Sequence, residues 1–210
     1  MTVGCFITFE GGEGGGKSTQ LARLCKVLHE RGLDVVGTRE PGGSPGAEAI
    51  RELLVTGEPG RWDALTETLL HFAARRDHYI RTVEPALARG AWVVCDRFAD
   101  STMAYQAYGL GVEQAFVTGL YERLLGGFAP DLTIILDVPV SLGLARAAAR
   151  GGVDRYERMN GEFHQRLRDG FLAIAQAEPE RCAVIDASQD EAKVHEAVLA
   201  LVDERLADHG

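Results

Sequence analysis

The chain has 210 residues, 46% of them hydrophobic and 25% charged, a balance that suits one globular domain with a real core and argues against disorder of the whole chain. Its formal net charge of −9 argues against non-specific binding to nucleic acid or an anionic membrane surface, yet leaves room for a locally basic phosphate pocket. No apolar run approaches the roughly 18 residues of a membrane helix and no charged leader precedes one. Cys5, Cys25, Cys95 and Cys182 are scattered without a C-x-x-C pair. The expectation is a soluble cytoplasmic protein with free thiols, without nucleic-acid or membrane partners.

Residues 3–10 read as a buried strand and residues 17–31 as an amphipathic helix ending at Gly32. A strand over 33–38 is followed by helical patterns over 45–55, 64–78 and 79–89, the last ending at Gly90. A third strand covers 91–95, helices run across 101–126, and a fourth strand covers 132–138. Helical segments flank 151–158, a short strand covers 182–186, and the final helix spans 190–207. Buried strands alternating with helices predict an α/β fold, a five-stranded parallel sheet with helices on both faces. Ligands of such sheets sit beyond the carboxyl ends of the strands. With no long linker, residues 1–210 read as a single domain, and the Gly-bearing, charged stretch at about 149–160 reads as a lid.

The first strand runs into Gly11, Gly12, Glu13, Gly14, Gly15, Gly16, Lys17 and Ser18. This is G-x-x-x-x-G-K-S/T between strand and helix, the phosphate loop of a P-loop NTPase fold. Glycines let backbone N–H groups turn onto phosphate oxygens, and the helix N-terminus favours the anion. Lys17 can reach the β and γ oxygens of ATP, Thr19 extends the loop, and Ser18 can ligate Mg²⁺. No guanine-reading N-K-x-D follows. The third strand ends in Asp96 and Arg97, a carboxylate placed to hold Mg²⁺ or its water and a guanidinium placed to fork onto phosphate. A surface ion pair would have the same sequence.

Thr38-Arg39-Glu40-Pro41-Gly42-Gly43 follows the second strand and so lies at the active edge, although a plain turn reads the same way. On the helix at 64–78, His71 with Arg75 and Phe72 with Arg76 are each four apart, so either pair sets a ring beside a guanidinium. Ser101 and Tyr105 share a face beyond Asp100, a candidate N-cap, and Tyr105 can close over a sugar or serve as core.

These landmarks, in order, resemble the thymidylate kinases over nearly the whole chain. They are Phe9-Glu10-Gly11, the phosphate loop, T-R-E-P-G-G, E-x-x-L-x-x-A-A-R, Pro85-Ala86-Leu87, D-R-F-x-x-S-T-x-A-Y-Q ending at Gln106, Pro130-Asp131-Leu132 and Leu136-Asp137-Val138. The resemblance implies transfer of the γ-phosphate of ATP to dTMP, with Mg²⁺, in a homodimer. It implies that Glu13 helps position metal and acceptor and that Arg97 bridges donor and acceptor phosphates. Thr102 would read the thymine edge, Tyr105 would lie against the deoxyribose 2′ carbon, and Glu40, Pro41, Ser101 and Gln106 would fall on the dTMP side. Register places the family's phosphate-binding arginine at Arg75 and its base-stacking phenylalanine at His71, a departure that leaves Phe72 as the other stacking candidate. Leu110 stands where many relatives carry arginine. The phosphate loop holds no arginine, whereas Arg146, Arg150, Arg155 and Arg158 crowd the lid. The resemblance is therefore to the lid-arginine style, with Arg150 first and Arg155 second as the catalytic cation. Other acceptors, a nucleoside kinase and a non-catalytic ATP-binding protein are the rival readings.

Overall fold

Alternation along the first strand divides the molecule into two faces. In the computed structural model, which describes residues 4–151 and 155–207, β1 (Cys5–Glu10) is buried at every position. Side chains of a strand point alternately to opposite faces. Cys5, Ile7 and Phe9 pack with Leu24 and Leu28 of α1 (Lys17–Glu30) and with Val194, Val198 and Val202 of α9 (Glu191–Arg205). Phe6 points the other way, into a cluster with Val93, Cys95 and Phe98. Thr8 and Glu10 share Phe6's parity and are fully buried. A polar line therefore runs inside the second face towards the strand's carboxyl end.

The sheet order is β2 (Val35–Arg39), β3 (Trp92–Asp96), β1, β4 (Leu132–Asp137), β5 (Cys182–Asp186). Every neighbouring pair is parallel, with Phe9 opposite Asp96 and Glu10 opposite Ile135. The five-stranded parallel sheet expected from the sequence is present. The chain leaves β1 and crosses to β2 beyond β3, so the cleft opens where strand order reverses, as the switch-point rule requires.

The intervening helices are α2 (Pro45–Val55), α3 (Ala64–His78), α4 (Glu84–Ala88), α5 (Ala99–Thr102), α6 (Gln114–Leu125), α7 (Val140–Arg150) and α8 (Gly161–Ala177). Asp63 caps α3 by accepting from the Leu65 and Thr66 N–H groups, which satisfies donors the helix leaves open. Two stretches expected as plain helix differ. Tyr79–Val83 is a π-helical turn in which the Glu84 N–H reaches back to Tyr79 O. It precedes Pro85, which has no N–H to donate. Met103–Gly109 is also π-helical. It carries Tyr105 and Gln106, and wide turns of this kind recur at functional sites. The lid expected at 149–160 begins at the end of α7, and its residues 152–154 lie outside the described residues.

Phe6 meets Phe98 edge-on at 4.9 Å between centroids and stacks on Phe128 at 5.4 Å. This cluster fixes the chain that leaves β3 against the central strand. Phe6→Ala should lower unfolding stability by about 3–5 kcal/mol, read as a reduced urea midpoint with an unchanged slope.

Candidate active site

Gly11 and Gly14 of the phosphate loop are demanded by space as well as by φ. Gly14 has φ 67°, and a Cβ there would stand 2.0 Å from the Gly143 carbonyl oxygen on α7. Lys17 is buried and its Nζ donates to Gly11 O at 3.1 Å and Gly12 O at 2.7 Å. Burial, then repulsion from Arg97, push its pKa down to about 8 against the pull of Glu13, Asp96 and Glu10. Ser18 Oγ donates to Asp96 Oδ2 at 2.6 Å. A hydroxyl and a carboxylate side by side beneath the loop suit Mg²⁺, which takes hard oxygen ligands and keeps positions for water and phosphate.

Arg97 stands at φ 72°, in the left-handed region that a side chain rarely adopts. Its own N–H bonds Phe9 O at 2.9 Å, and the next N–H, of Phe98, bonds Glu10 Oε1 at 2.7 Å. Glu10 also accepts from Ser101 Oγ at 2.6 Å. The turn that aims Arg97 is thus suspended from the end of β1. The guanidinium donates to Gly11 O at 3.0 Å, Ser101 Oγ at 3.1 Å and Glu13 Oε1 at 3.0 Å, and lies 4.9 Å over the Tyr105 ring. The Tyr105 hydroxyl donates to the same Glu13 oxygen. Burial opposes charge on Glu13, yet Arg97, Lys17 and the Tyr105 bond outweigh it and hold the carboxyl down at about 2.

On the other side of the cleft, Glu40 is buried and accepts from Arg75 Nε at 2.7 Å and from His78 Nδ1 at 2.9 Å. Arg75 Nη2 donates to Phe98 O and Thr102 Oγ1, both at 2.9 Å. Its Nη1 is buried with no hydrogen-bond partner among the described residues, and the same holds for Gln106 Oε1. Both side chains line one cleft of about 310 Å³ together with Glu13, Lys17, Ser18, Glu40, Pro41 and Arg97.

Known proteins resemble this chain along most of its length. The thymidylate kinase family model matches residues 9–198. A thymidylate kinase of Caulobacter vibrioides is 57% identical over 206 residues, 98% of this chain and 99% of that protein. One from Methylococcus capsulatus is 49% identical over 209 residues, the whole of both chains. The crystal structure of thymidylate kinase from Ehrlichia chaffeensis superposes with a TM-score of 0.77 at 37% identity, covering 95% of this chain and 98% of that one. The chain belongs to the thymidylate kinase family. It is therefore a phosphotransferase with the P-loop NTPase fold.

Within this thymidylate kinase fold, the expected residues Gly14, Gly15, Gly16, Thr19, Asp96, Ser101, Thr102, Tyr105 and Arg150 also line the cleft, while Gly11 and Gly12 back it beside Leu136. Two expectations need correction. Phe72 is turned into the core with Ala107, Val112 and Val117 and does not line the cleft, whereas His71 does. The helix face that buries Phe72 sends Arg76 outwards to Leu124 O, so the Phe72 and Arg76 pair is not at the site. Arg155 is also away from the cleft lining. It is buried, with bonds to Leu54 O at 3.0 Å, Glu67 Oε2 at 2.6 Å and the Tyr156 hydroxyl at 3.1 Å. Arg146 donates to Ala187 O, and Arg158 pairs with Glu58. Arg150 alone of the four expected lid arginines lines the cleft, paired with Glu157 at 2.7 Å. Leu110 packs against the cluster of Tyr105 and Phe163.

The sequence reading missed Glu10, Gly143, Arg51 and Tyr156. Glu10 stood in plain view as a polar residue closing an apolar strand. Arg51 on α2 donates to Pro41 O at 2.7 Å and lines the cleft. The Tyr156 hydroxyl meets His71 Nε2 at 2.9 Å.

Burial of His71, then the charges of Arg75, Arg155, Arg97 and Arg51, push its pKa down to about 3. The ring is neutral in the folded protein near pH 7. Between about 6.5 and 3 the unfolded chain binds the proton and the folded one does not, so His71 erodes stability as pH falls through that window. His71→Phe should remove this contribution. Its stability relative to wild type, by chemical denaturation, should rise steadily from pH 7 to pH 4.

Proposed function

We propose that this cleft transfers the γ-phosphate of ATP to dTMP, giving dTDP and ADP for dTTP biosynthesis. The observation that carries the acceptor assignment is the pair of buried, unpartnered atoms beside Thr102, the donor Arg75 Nη1 and the acceptor Gln106 Oε1. Buried polar groups are nearly always satisfied, so orphans of opposite character on two side chains that line one cleft argue for a ligand that completes them. Thymine offers a carbonyl oxygen and an adjacent ring N–H, the complement of that pair. This moves Arg75 from phosphate to base and leaves the acceptor phosphate to Arg97, which lies against the phosphate loop. Neutral His71 supports base stacking, and Tyr105, seated on Arg97, supports contact with the sugar.

For ATP, the loop from Gly11 to Thr19 would hold the phosphates, with Lys17 on the β and γ oxygens. Ser18 and Asp96 would hold Mg²⁺ or its water, and the metal when bound neutralises charge on the transferring group. Arg97 already touches Gly11 and Glu13 and is positioned between donor and acceptor phosphates, and Glu13 keeps it aligned. Phosphoryl transfer needs in-line positioning and charge neutralisation more than covalent help. The lid at about 149–160 would exclude water and bring in Arg150.

A homodimer fits exposed Leu65 and Leu69, one turn apart on α3, and exposed Phe116 on α6, a helix in contact with α3. No helix among the described residues is long and apolar enough to cross a membrane. The four free cysteines support a reducing, cytoplasmic setting.

ADP release should be strong with ATP, Mg²⁺ and dTMP, weaker with dUMP and low with dCMP, dGMP, AMP or thymidine. Turnover of thymidine but not dTMP would overturn the reading, and ATP binding without turnover of any acceptor would favour a non-catalytic protein. Arg150→Ala should lower kcat about 10³-fold with little change in ATP affinity. A normal kcat would remove Arg150 from the transition state.

A further inference from the structure

Glu67 on α3 is fully buried, and its two oxygens are divided between two partners. Oε2 accepts from Arg155 Nη2 at 2.6 Å, and Oε1 accepts from Gln106 Nε2 at 2.9 Å. A carboxylate held in an ion pair has acceptors only, while a glutamine amide has a donor end and an acceptor end. The amide of Gln106 therefore has one tolerable orientation. Turned over, it would set oxygen against oxygen in an interior where water cannot intervene. The orientation seen leaves Oε1 as the end without a partner among the described residues, on a side chain that lines the cleft.

We infer that Glu67 is a positioning residue for substrate choice: it fixes the polarity of the Gln106 amide, so that the pocket favours a base with a ring N–H over a base with a ring lone pair at that place. The inference rests on the assignment of Gln106 to the acceptor side. Thymine and uracil present N3–H, which Oε1 can accept. Cytosine presents the N3 lone pair, which Oε1 repels. The adjacent group reverses in the same sense, because thymine has a carbonyl where cytosine has an amino group, and Arg75 Nη1 offers only a donor. Each mismatch leaves buried polar groups facing like groups, and sites built on such pairs discriminate far more strongly than apolar ones. Glu67 also joins base reading to the lid through Arg155, which is fixed to the same carboxylate.

The test compares kcat/KM for dTMP and dCMP in Glu67→Gln, Glu67→Asp and Gln106→Leu. Glutamine at 67 can still accept from Arg155 but can turn a donor towards Gln106, which frees that amide to flip. The ratio of dTMP to dCMP should narrow by about tenfold or more, through loss on dTMP and gain on dCMP. Glu67→Asp keeps an acceptor-only group, and should keep the ratio even where both rates fall. A role in stability alone would lower both substrates together in Glu67→Gln and leave the ratio at its wild-type value, which overturns the inference. Gln106→Leu separates this from failure of the underlying assignment. If it leaves the ratio unchanged, Gln106 does not read the base. If it narrows the ratio while Glu67→Gln does not, the base reading stands and the positioning role falls. Should Glu67→Gln fail to fold, the pair Glu67→Met with Arg155→Met removes both buried charges together and is held to the same narrowing of the ratio.

Discussion

The site depends on a carboxylate buried beneath it. Glu10 ends the central strand on the side that faces α5, fully buried, and receives the Phe98 N–H and the Ser101 hydroxyl. Burial and the nearby Asp100 raise its pKa well above the usual carboxylate range, against the pull of Ser101, Arg97 and Phe98. A polar group so placed is tolerable only while its bonds are kept. The bonds it keeps are those that hold the turn after β3. That turn sets Arg97 at a positive φ, an arrangement of about 1–3 kcal/mol in backbone strain that persists only where surroundings over-determine it. The phosphate loop begins one residue beyond Glu10, so that loop and the turn that carries Arg97 share a single point of attachment.

Around that point the charges are arranged in opposition. Lys17 and Arg97 approach each other near Gly11, and Glu13 lies against Arg97. The repulsion shows in Lys17, whose pKa is pushed down, and the attraction shows in Glu13, whose pKa is pushed down as well. Lys17 Nζ meets only the backbone carbonyls of Gly11 and Gly12, although Glu13, Asp96 and Glu10 all pull on its charge, so phosphate oxygens are the natural partners for it. Preorganised cations of this kind stabilise charge without reorganising as the reaction proceeds.

Much of this was legible from residues. The phosphate loop was readable because spacing, strand and helix agreed, and the strand ends at Glu40 and Asp96 because apolar runs locate the carboxyl edge. Registering α3 against the family resemblance put Arg75 and His71 on the dTMP side, with Phe72 as the other stacking candidate. Helical spacing alone could not reject Phe72 and Arg76, since both pairs share the same offset and only packing against Val112 and Val117 decides which face is core. The π-helical segments were illegible because one extra residue per turn leaves no mark in an apolar pattern. Glu10 and Glu67 were passed over for a different reason. Each sits in a motif, but its work is a contact with a residue distant in sequence, 88 positions from Glu10 to Phe98 and 39 from Glu67 to Gln106.

The lid arginines show where composition runs out and burial must decide. Four arginines in one charged stretch are equivalent on paper. In the fold Arg155 and Glu67 are 4% and 2% exposed, whereas Arg150 is 62% exposed against a buried Glu157. Separating the first pair leaves a buried charge unmatched, at about 3–5 kcal/mol. Arg150 stays in water when it leaves Glu157, so no desolvated guanidinium is left behind on that side of the pair. A cation that must leave its resting partner for a transferring phosphate, and return in every turnover, has to come from the second class. Arg155 is suited to the opposite task, because its buried bond to Glu67 ties it to the helix that carries His71 and Arg75. Arg150 and Arg155 stand on either side of Gly151 and Gly152 in the sequence, the first exposed and the second buried.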